Sequence, residues 1–175
     1  MGKRVLRHKG MALWLGLFSA LSQTAVAQTV SVLPKFDLNR YIGTWHELAK
    51  YPNKVERNCI GEEVVLFALA DKPNRFQMVT SCRMRNEASD AKNADGSINR
   101  NGDGKLKLTR IWPFSTRYWV FAVGPAYEWA LVGDPNHKSL WILSRTIVLT
   151  PEVLADIENK AAADGFDLTK LVFNP

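Results

Sequence analysis

The sequence contains few of the side chains that most often carry covalent or metal chemistry. There are only two cysteines and three histidines among its 175 residues. His46 and His137 lie far apart, and neither has neighbours that would complete a catalytic triad or a metal-ligand set. We therefore expect no catalytic residues, no metal site and no cofactor.

The sequence also has no apolar run long enough to cross a membrane as a helix. Its best candidate, residues 11–21, has 11 residues, whereas a transmembrane helix needs about 20. Four basic residues precede this run, and Ala25-Val26-Ala27 follows it as a small-x-small cleavage signal. This pattern is typical of a secretory signal peptide. We predict that residues 1–27 are a signal peptide and that residues 28–175 form a single exported domain.

Residues 28–175, which remain after removal of this segment, have no strong excess of positive or negative charge. The chain has 23 basic and 17 acidic residues, but four of the basic ones precede residue 10, so residues 28–175 carry a net charge of only +2. Such a charge does not favour a nucleic-acid partner. The residue after the cleavage signal is Gln28 rather than a cysteine that could accept a lipid. We expect a soluble periplasmic or secreted protein.

Cys59 and Cys82 are the only cysteines, and an exported protein meets conditions in which cysteines can pair. A turn centred between Lys72 and Pro73 makes residues that face each other across the hairpin sum to about 145 in number. The two cysteines then share a face but miss direct opposition by about four positions. We predict a disulfide between them, which requires the chain before Gly61 to bend back or a bulge to intervene.

Short segments rich in β-branched and aromatic residues, bounded by turn residues, dominate the exported part. They are residues 45–51, 63–70, 76–82, 105–112, 117–123, 129–132 and 140–146. This pattern predicts an all-β barrel or sandwich. Residues 86–104, in contrast, are polar and contain Ile98 as their single aliphatic residue larger than alanine. We predict that this stretch is an exposed loop with at most a weak edge strand.

A helix is predicted after the last strand. Thr150 is a suitable N-cap, Pro151 suits the first helical position, and a carboxylate follows in the first turn. An apolar face then recurs every three to four residues, at Val153, Leu154, Ile157 and Ala161. Gly165 predicts the end of the helix. The outside of a barrel is the surface against which this single amphipathic helix can bury its apolar face.

Two segments of the sequence resemble conserved blocks of the lipocalin family. Residues 37–48 read DLNRYIGTWHEL, which is similar to the Gly-x-Trp block on the first lipocalin strand. Residues 140–146 read LWILSRT, which is similar to the third block, whose arginine packs across that tryptophan. Tyr127 lies where the second block has its tyrosine, although Pro125 and Ala126 replace the polar pair. The resemblance covers residues 28–175 and is closest to the bacterial outer-membrane lipocalins.

The resemblance implies an eight-stranded antiparallel up-and-down barrel with one C-terminal α-helix packed outside. In such a barrel, Gly43 permits close approach of the entering segment, and Trp45 fills the closed end. Arg145 can stack on that ring and donate to nearby carbonyls. We assign these three residues a structural role. A barrel of this size holds one small ligand if its other end stays open.

Alternation along the strands predicts which side chains face the cavity. Trp45 and Arg145 face inward, so they determine which alternate positions face inward on their two strands. The family pattern gives the inward positions on the other strands. Trp119 and Phe121 then lie on the outer face, where they either pack under the helix or indicate an error in the assignment. The predicted ligand-binding residues are Glu47, Tyr51, Val65, Phe67, Met78, Thr80, Tyr118, Val120, Trp129, Leu131, Trp141 and Leu143. This mainly apolar lining suits an elongated aliphatic ligand.

Glu47 is the one charged residue in this predicted lining. An unpaired buried carboxylate is costly, so we expect it to reach Arg145, a tyrosine hydroxyl or water in the cavity. Two roles stay open for it, as a hydrogen-bonded residue of the barrel floor or as a ligand contact.

The resemblance implies an exported, non-enzymatic lipocalin that binds a small hydrophobic or amphiphilic ligand with one chain. A fatty acid or lysophospholipid, bound for lipid storage, transport or membrane maintenance, is the expected ligand. Two alternatives stay open. A thiol-dependent lipid isomerase or transferase needs a free cysteine, which thiol titration would detect, and a pigment carrier would be coloured when purified.

The location and assembly of the protein also have alternatives. Members of the bacterial branch are commonly anchored through a lipidated cysteine, so association with the outer membrane is the alternative to a soluble exported protein. A peripheral contact with the membrane and a homodimer stay open as well.

Overall fold

The computed structural model describes residues 30–61, 63–86 and 88–174, so the predicted signal peptide lies outside the described residues. A four-residue helix, α1 (Leu38–Tyr41), comes before the first strand. Eight strands follow: β1 (Gly43–Lys50), β2 (Val64–Leu69), β3 (Arg75–Arg83), β4 (Ser89–Ile98), β5 (Lys105–Ile111), β6 (Phe114–Val123), β7 (Trp129–Gly133) and β8 (Leu140–Ser144). The chain ends with helix α2 (Pro151–Ala163), a 3-10 helix (Leu168–Lys170) and a short strand, β9 (Val172–Phe173). No helix within the described ranges is long and apolar enough to span a membrane.

The eight long strands form a closed antiparallel barrel. Each strand from β2 to β7 pairs with the next along the chain, and β1 pairs with β8 on one side and β2 on the other. β9 adds to β1 where β2 no longer pairs with it. The prediction of an eight-stranded barrel with one helix outside is therefore confirmed. Closure leaves no long unpaired edge in the sheet.

The prediction of an exposed loop over residues 86–104 is wrong, because strand β4 occupies most of that stretch. β4 pairs with β3 along nine positions and with β5 on its other side. Its inward positions include Ala94 and Gly96, and a Cβ atom at Gly96 would overlap the ring of Phe76. The large ring on the neighbouring strand fills the space that β4 leaves empty. The strand needs no large apolar side chains for that reason, and its outer face is polar.

The predicted disulfide between Cys59 and Cys82 is confirmed, with a Cα–Cα distance of 5.6 Å. The hairpin of β2 and β3 has the predicted register, since Val64 faces Ser81. Before β2 the chain continues alongside β3 with a shifted register, and Cys59 faces Met84 in an isolated bridge. This shift brings the two cysteines close enough to bond and attaches the loop between β1 and β2 to the barrel wall.

Two apolar cores lie on the two sides of the barrel wall. The inner core surrounds Trp45 and closes one end of the barrel. The outer core lies between the wall and α2, where Ile157 and Ala161 are fully buried. Thr150 caps α2 by accepting a hydrogen bond from the backbone N–H of Val153, as the sequence predicts.

The predicted inward position of Tyr51 is wrong. A β-bulge between Glu47 and Ala49 reverses the alternation of β1, so Ala49 and Tyr51 belong to the outer core. Tyr51 packs against Phe166, and its hydroxyl donates to the backbone oxygen of Asp167 at 2.8 Å. It therefore helps to hold the segment after α2.

The inward assignment of β7 is also wrong. Residues that face each other across two strands share a side of the sheet, and Ala130 faces Leu143 whereas Leu131 faces Ile142. Ala130 accordingly lies in the inner core, while Trp129 and Leu131 lie in the outer core near α2. On β6, Trp119 and Phe121 pack in the outer core as well, which confirms the first of the two readings given for them.

Candidate functional site

Trp45 and Arg145 close one end of the barrel. The Arg145 guanidinium lies 3.7 Å from the centroid of the buried Trp45 ring. Its two terminal nitrogens donate to the backbone oxygens of residues 40, 41, 42 and 44 at 2.7 to 3.1 Å. Gly43 has a φ of +104°, and a Cβ atom there would lie 3.2 Å from the Arg145 side chain. The three residues therefore have the expected structural arrangement.

Tyr127 holds α1 against the turn between β6 and β7. Its hydroxyl accepts a hydrogen bond from the backbone N–H of Asp37 at 3.0 Å. The guanidinium of Arg40 lies 4.3 Å from the Tyr127 ring and donates to the backbone oxygen of Pro125. These contacts keep the closed end covered, so the opposite end is where a ligand would enter.

A cavity of about 370 Å³ lies inside the barrel towards the open end. Its apolar wall includes Leu108, Trp141 and Leu143. The loop between β1 and β2 lies at one side of the opening, and the hairpin of β5 and β6 lies at another. A mainly apolar pocket with a few polar groups is typical of a small-molecule site.

The predicted ligand-binding residues fall into three groups. Those on the cavity wall are Glu47, Val65, Met78, Thr80, Tyr118, Trp141 and Leu143. Phe67 and Val120 lie inside the barrel but belong to the packed core around Trp45. Tyr51, Trp129 and Leu131 lie outside the barrel.

Several residues of the cavity wall were missed by the sequence analysis. They are Asn53, Val55, Glu56, Leu108, Arg110, Ile111, Phe114, Thr116, Arg117 and Ser139. The alternation of Leu106 and Leu108 along β5 was a usable signal for one of them. The others lie in loops, at strand ends or near a register shift between β5 and β6. The two-residue alternation of a regular strand does not predict which side chains face the cavity at such positions.

A buried cluster of charged residues lies at one side of the cavity, and two of its members, Glu47 and Glu56, line the cavity wall. Lys50 forms ion pairs with Glu63 and, at 3.2 Å, with Glu56; its Nζ lies 4.0 Å from Glu47. Glu56 comes from the loop between β1 and β2 and accepts a hydrogen bond from Asn53. The expectation that Glu47 reaches Arg145 or a tyrosine hydroxyl is therefore wrong, because Lys50 supplies the charge near it. The third expected partner, water in the cavity, stays a prediction.

The three carboxyl groups compete for one ammonium group. Their oxygens lie within 4.8 Å of one another, which is also the spacing of a metal-ligand set. Burial raises the pKa of Glu47 well above its usual range, and the neighbouring Glu56 adds to this effect. Burial therefore favours the protonated form of the Glu47 carboxyl group in the folded protein. Burial also raises the pKa of Tyr118, whose hydroxyl lies 3.3 Å from that of Tyr41.

Replacing Glu47 with glutamine should make the protein more stable at neutral and alkaline pH. The unfolded chain loses the Glu47 proton above about pH 4.5, whereas the folded protein keeps it to higher pH. Between the pKa of Glu47 in the unfolded chain and its higher pKa in the folded protein, the free energy of unfolding of the wild type should therefore fall relative to Glu47→Gln. The fall should reach up to about 1.4 kcal/mol for each pH unit. Urea denaturation from pH 4 to pH 9 measures the difference. Parallel pH profiles of the two proteins would show that Glu47 is ionised in the folded state.

Comparison with known proteins relates this architecture to one family. The model of the family described as "Lipocalin-like domain" matches residues 36–175. The outer membrane lipoprotein Blc of Escherichia coli (strain K12) is 29% identical over 168 residues, which cover 90% of this chain and 89% of that protein. Blc of Vibrio cholerae is 30% identical, with coverage of 93% and 96%. Temperature-induced lipocalin-1 of Arabidopsis thaliana is 28% identical, with coverage of 83% and 82%.

Solved structures show the same fold at lower sequence identity. Insecticyanin from the tobacco hornworm Manduca sexta superposes with a TM-score of 0.66 at 22% identity, and the match covers 83% of this chain and 84% of that one. The cockroach allergen Per a 4 has a TM-score of 0.65 at 15% identity, with coverage of 82% and 90%. At these identities the similarity concerns the fold alone.

Proposed function

The chain belongs to the lipocalin family, among the relatives of the bacterial outer-membrane lipocalins, and from this membership we propose that it binds a single-chain amphiphile. A fatty acid or a lysophospholipid is the proposed ligand, bound for lipid storage, transport or membrane maintenance. The observation that carries the proposal is the cavity, which is apolar along most of its wall and opens opposite Trp45 and Arg145.

The shape of the barrel supports a ligand with one chain. An eight-stranded barrel is just wide enough for one small ligand, and the packed core around Trp45 limits the depth of the cavity. Each methylene that enters the apolar part contributes about 0.8 kcal/mol. Arg110 and Arg117 lie on the cavity wall and are exposed to solvent, so an anionic head group has cationic partners there.

Ligand binding should quench or enhance tryptophan fluorescence saturably, with Trp141 as the reporter on the cavity wall. For delipidated protein, affinity should rise with acyl length until the cavity is full, and a diacyl phospholipid should bind more weakly than its lysophospholipid. Trp141→Ala should weaken binding about tenfold, a loss of roughly 1.4 kcal/mol in binding free energy. The free energy of unfolding should change by less than this. Trp129→Phe, outside the barrel, should leave the affinity unchanged. If no single-chain lipid binds, or if affinity ignores chain length, the cavity is not a lipid site.

The enzymatic alternative has no nucleophile of the required kind. A thiol-dependent isomerase or transferase needs a free cysteine with a lowered pKa. Both cysteines of the chain are joined in the disulfide between Cys59 and Cys82. This pairing favours the binding protein over the thiol-dependent enzyme.

We further propose that the exported protein works in the periplasm and contacts the outer membrane through its open end. The hairpin of β5 and β6 carries Ile111, Trp112 and Phe114, each about three-quarters or more exposed. Arg110 and Arg117 are exposed beside them. An apolar tip flanked by cations suits the boundary between the head groups and acyl chains of an anionic bilayer. Its place beside the opening would let a lipid pass directly between bilayer and cavity.

Trp112→Ser should lower the affinity for vesicles that contain phosphatidylglycerol about tenfold, because a buried large apolar side chain contributes roughly 1.5 to 3 kcal/mol. Sedimentation with vesicles at low and high salt measures the effect. Ile147→Ser is the matched control, since Ile147 is similarly exposed but follows Arg145 at the closed end. Equal vesicle binding by both variants would exclude the hairpin as the membrane contact.

A further inference from the structure

The charged cluster beside the cavity contains more acid than base. Glu47, Glu56 and Glu63 are all buried, and Lys50 is the single basic side chain that pairs with them among the described residues. Full ionisation would leave a formal charge of −2 in a poorly solvated place. Buried charges are stable only when they are paired or neutralised. A proton on Glu47, which burial favours, would balance part of this excess and leave one negative charge.

Glu47 also has a carboxyl oxygen, Oε2, that accepts no hydrogen bond from any described residue, since the nearby Lys50 Nζ lies 4.0 Å from it. The Glu47 side chain is only 2% exposed, and its Oε2 atom has no hydrogen-bond partner among the residues that the structure describes. A buried oxygen without a partner costs free energy, so native structures rarely retain one without a reason. Because Glu47 lines the cavity, a group on the bound ligand is placed to supply the missing contact.

The chemistry of the cluster favours an organic ammonium over a metal ion. Lys50 already lies among the three carboxyl groups and would repel a divalent cation from their centre. An ammonium group carries one positive charge and donates hydrogen bonds to carboxylates. When attached to an aliphatic chain, it is also held by the apolar wall of the same cavity.

We propose that Glu47 and Glu56 form a subsite for a protonated amine on the ligand. This inference rests on the proposed function, because the amine must arrive on a chain that the cavity binds. The ligand N–H groups donate to the two carboxyl groups, and Glu47 releases its own proton to water as the ammonium takes its place. The burial that raises the pKa of Glu47 in the free protein supports this exchange.

The surroundings of Glu47 are consistent with this exchange. Five neighbouring polar groups face it: Lys50 on the same strand, Glu56 and Glu63 in the segment between β1 and β2, Tyr118 on β6 and Asn174 after β9. Lys50 is the one cation among them. Arg110 and Arg117 lie on the strands β5 and β6, across the barrel from β1, and stay available to an anionic group on the same ligand.

Three probes with the same decyl chain separate the amine subsite from general chain binding. Decylamine is charged at pH 7, decanol is neutral, and decanoate is anionic. In the wild type, decylamine should bind about tenfold more tightly than decanol, the size expected for one hydrogen bond to a charged group. In Glu47→Gln this preference should disappear, while decanoate should bind no more weakly than before. Lys107→Gln, a charge change at an exposed position of β5 that does not line the cavity, should leave the preference for decylamine intact.

Calorimetry in two buffers of different ionisation enthalpy provides a second readout. Binding of decylamine to the wild type should release a proton, whereas binding of decanol should not. Equal affinity for decylamine and decanol, or a preference that survives in Glu47→Gln, would overturn the amine subsite and leave the proposed function standing. Failure of all three probes to bind would reject both. If Glu47→Gln does not fold, decylamine binding without proton release overturns the subsite.

Discussion

Trp45→Ala should lower the free energy of unfolding by about 3 to 5 kcal/mol. Trp45 is fully buried and packs on Tyr41, with ring centroids 4.9 Å apart, while Arg145 covers its other side. Its indole N–H donates to the backbone oxygen of Tyr41 at 2.8 Å. Truncation removes these contacts and leaves a cavity at the closed end, where the rigid barrel wall restricts collapse. Urea denaturation followed by circular dichroism measures the loss.

A companion variant at Arg145 and a control variant at Trp112 test this prediction further. Arg145→Ala should cost about 3 kcal/mol, because the backbone oxygens of residues 40, 41, 42 and 44 lose their shared donor. Trp112→Ala removes a tryptophan that is 85% exposed and should change stability by no more than about 0.5 kcal/mol. Similar losses for Trp45→Ala and Trp112→Ala would contradict the structural role of Trp45.

Lys50→Met should also be strongly destabilising, by about 3 to 5 kcal/mol at neutral pH. The Lys50 side chain is 10% exposed and pairs with Glu63 and Glu56. Methionine preserves much of the apolar stem but removes the single positive charge, so buried carboxylates lose their partner. The loop between β1 and β2 should loosen first, because Glu56 is one of its attachments to the barrel. Hydrogen exchange of residues 52–58 tests that expectation.

The pH dependence distinguishes lost charge from lost packing in Lys50→Met. As the pH falls and the carboxyl groups become protonated, the variant should recover stability relative to the wild type. Lys170→Met is the control, since Lys170 pairs with Asp167 but is 61% exposed. Exposed ion pairs contribute at most about 1 kcal/mol, so the control should change little. A deficit in Lys50→Met that does not vary with pH would indicate that packing alone was lost.

Patterns in the sequence predicted an all-β barrel or sandwich and a helix after the last strand, and the resemblance to the lipocalins selected the barrel and identified its closed end. These features depend on local patterns, namely strand segments between turns, the caps of α2, and two short blocks that contain Trp45 and Arg145. The register of the hairpin between β2 and β3 also followed from its turn. Each of these signals involves residues close in sequence, or a pairing that the family resemblance supplies.

The tertiary structure decided which side chains reach the cavity. One bulge in β1 moved Tyr51 to the outer core, because a single extra residue reverses every later position on a strand. Pairing with β8 placed Ala130 inside the barrel and Leu131 outside, although both are apolar and either could face inward. α2 covers the outside of that part of the barrel wall, so the sheet there is apolar on both faces. The alternation of apolar and polar residues therefore cannot show which side chains face inward.

Strand β4 and the charged cluster depend even more on distant parts of the chain. The polar sequence of β4 forms a strand because β3 and β5 supply its hydrogen bonds and Phe76 fills the space above Gly96. Glu47 lies on β1, whereas Glu56 and Glu63 lie in the segment between β1 and β2, and the return of that segment to the barrel wall brings all three to one ammonium group. Local patterns and the family resemblance therefore determined the type of fold, whereas the charge and shape of the cavity arose from contacts between residues that the sequence keeps apart.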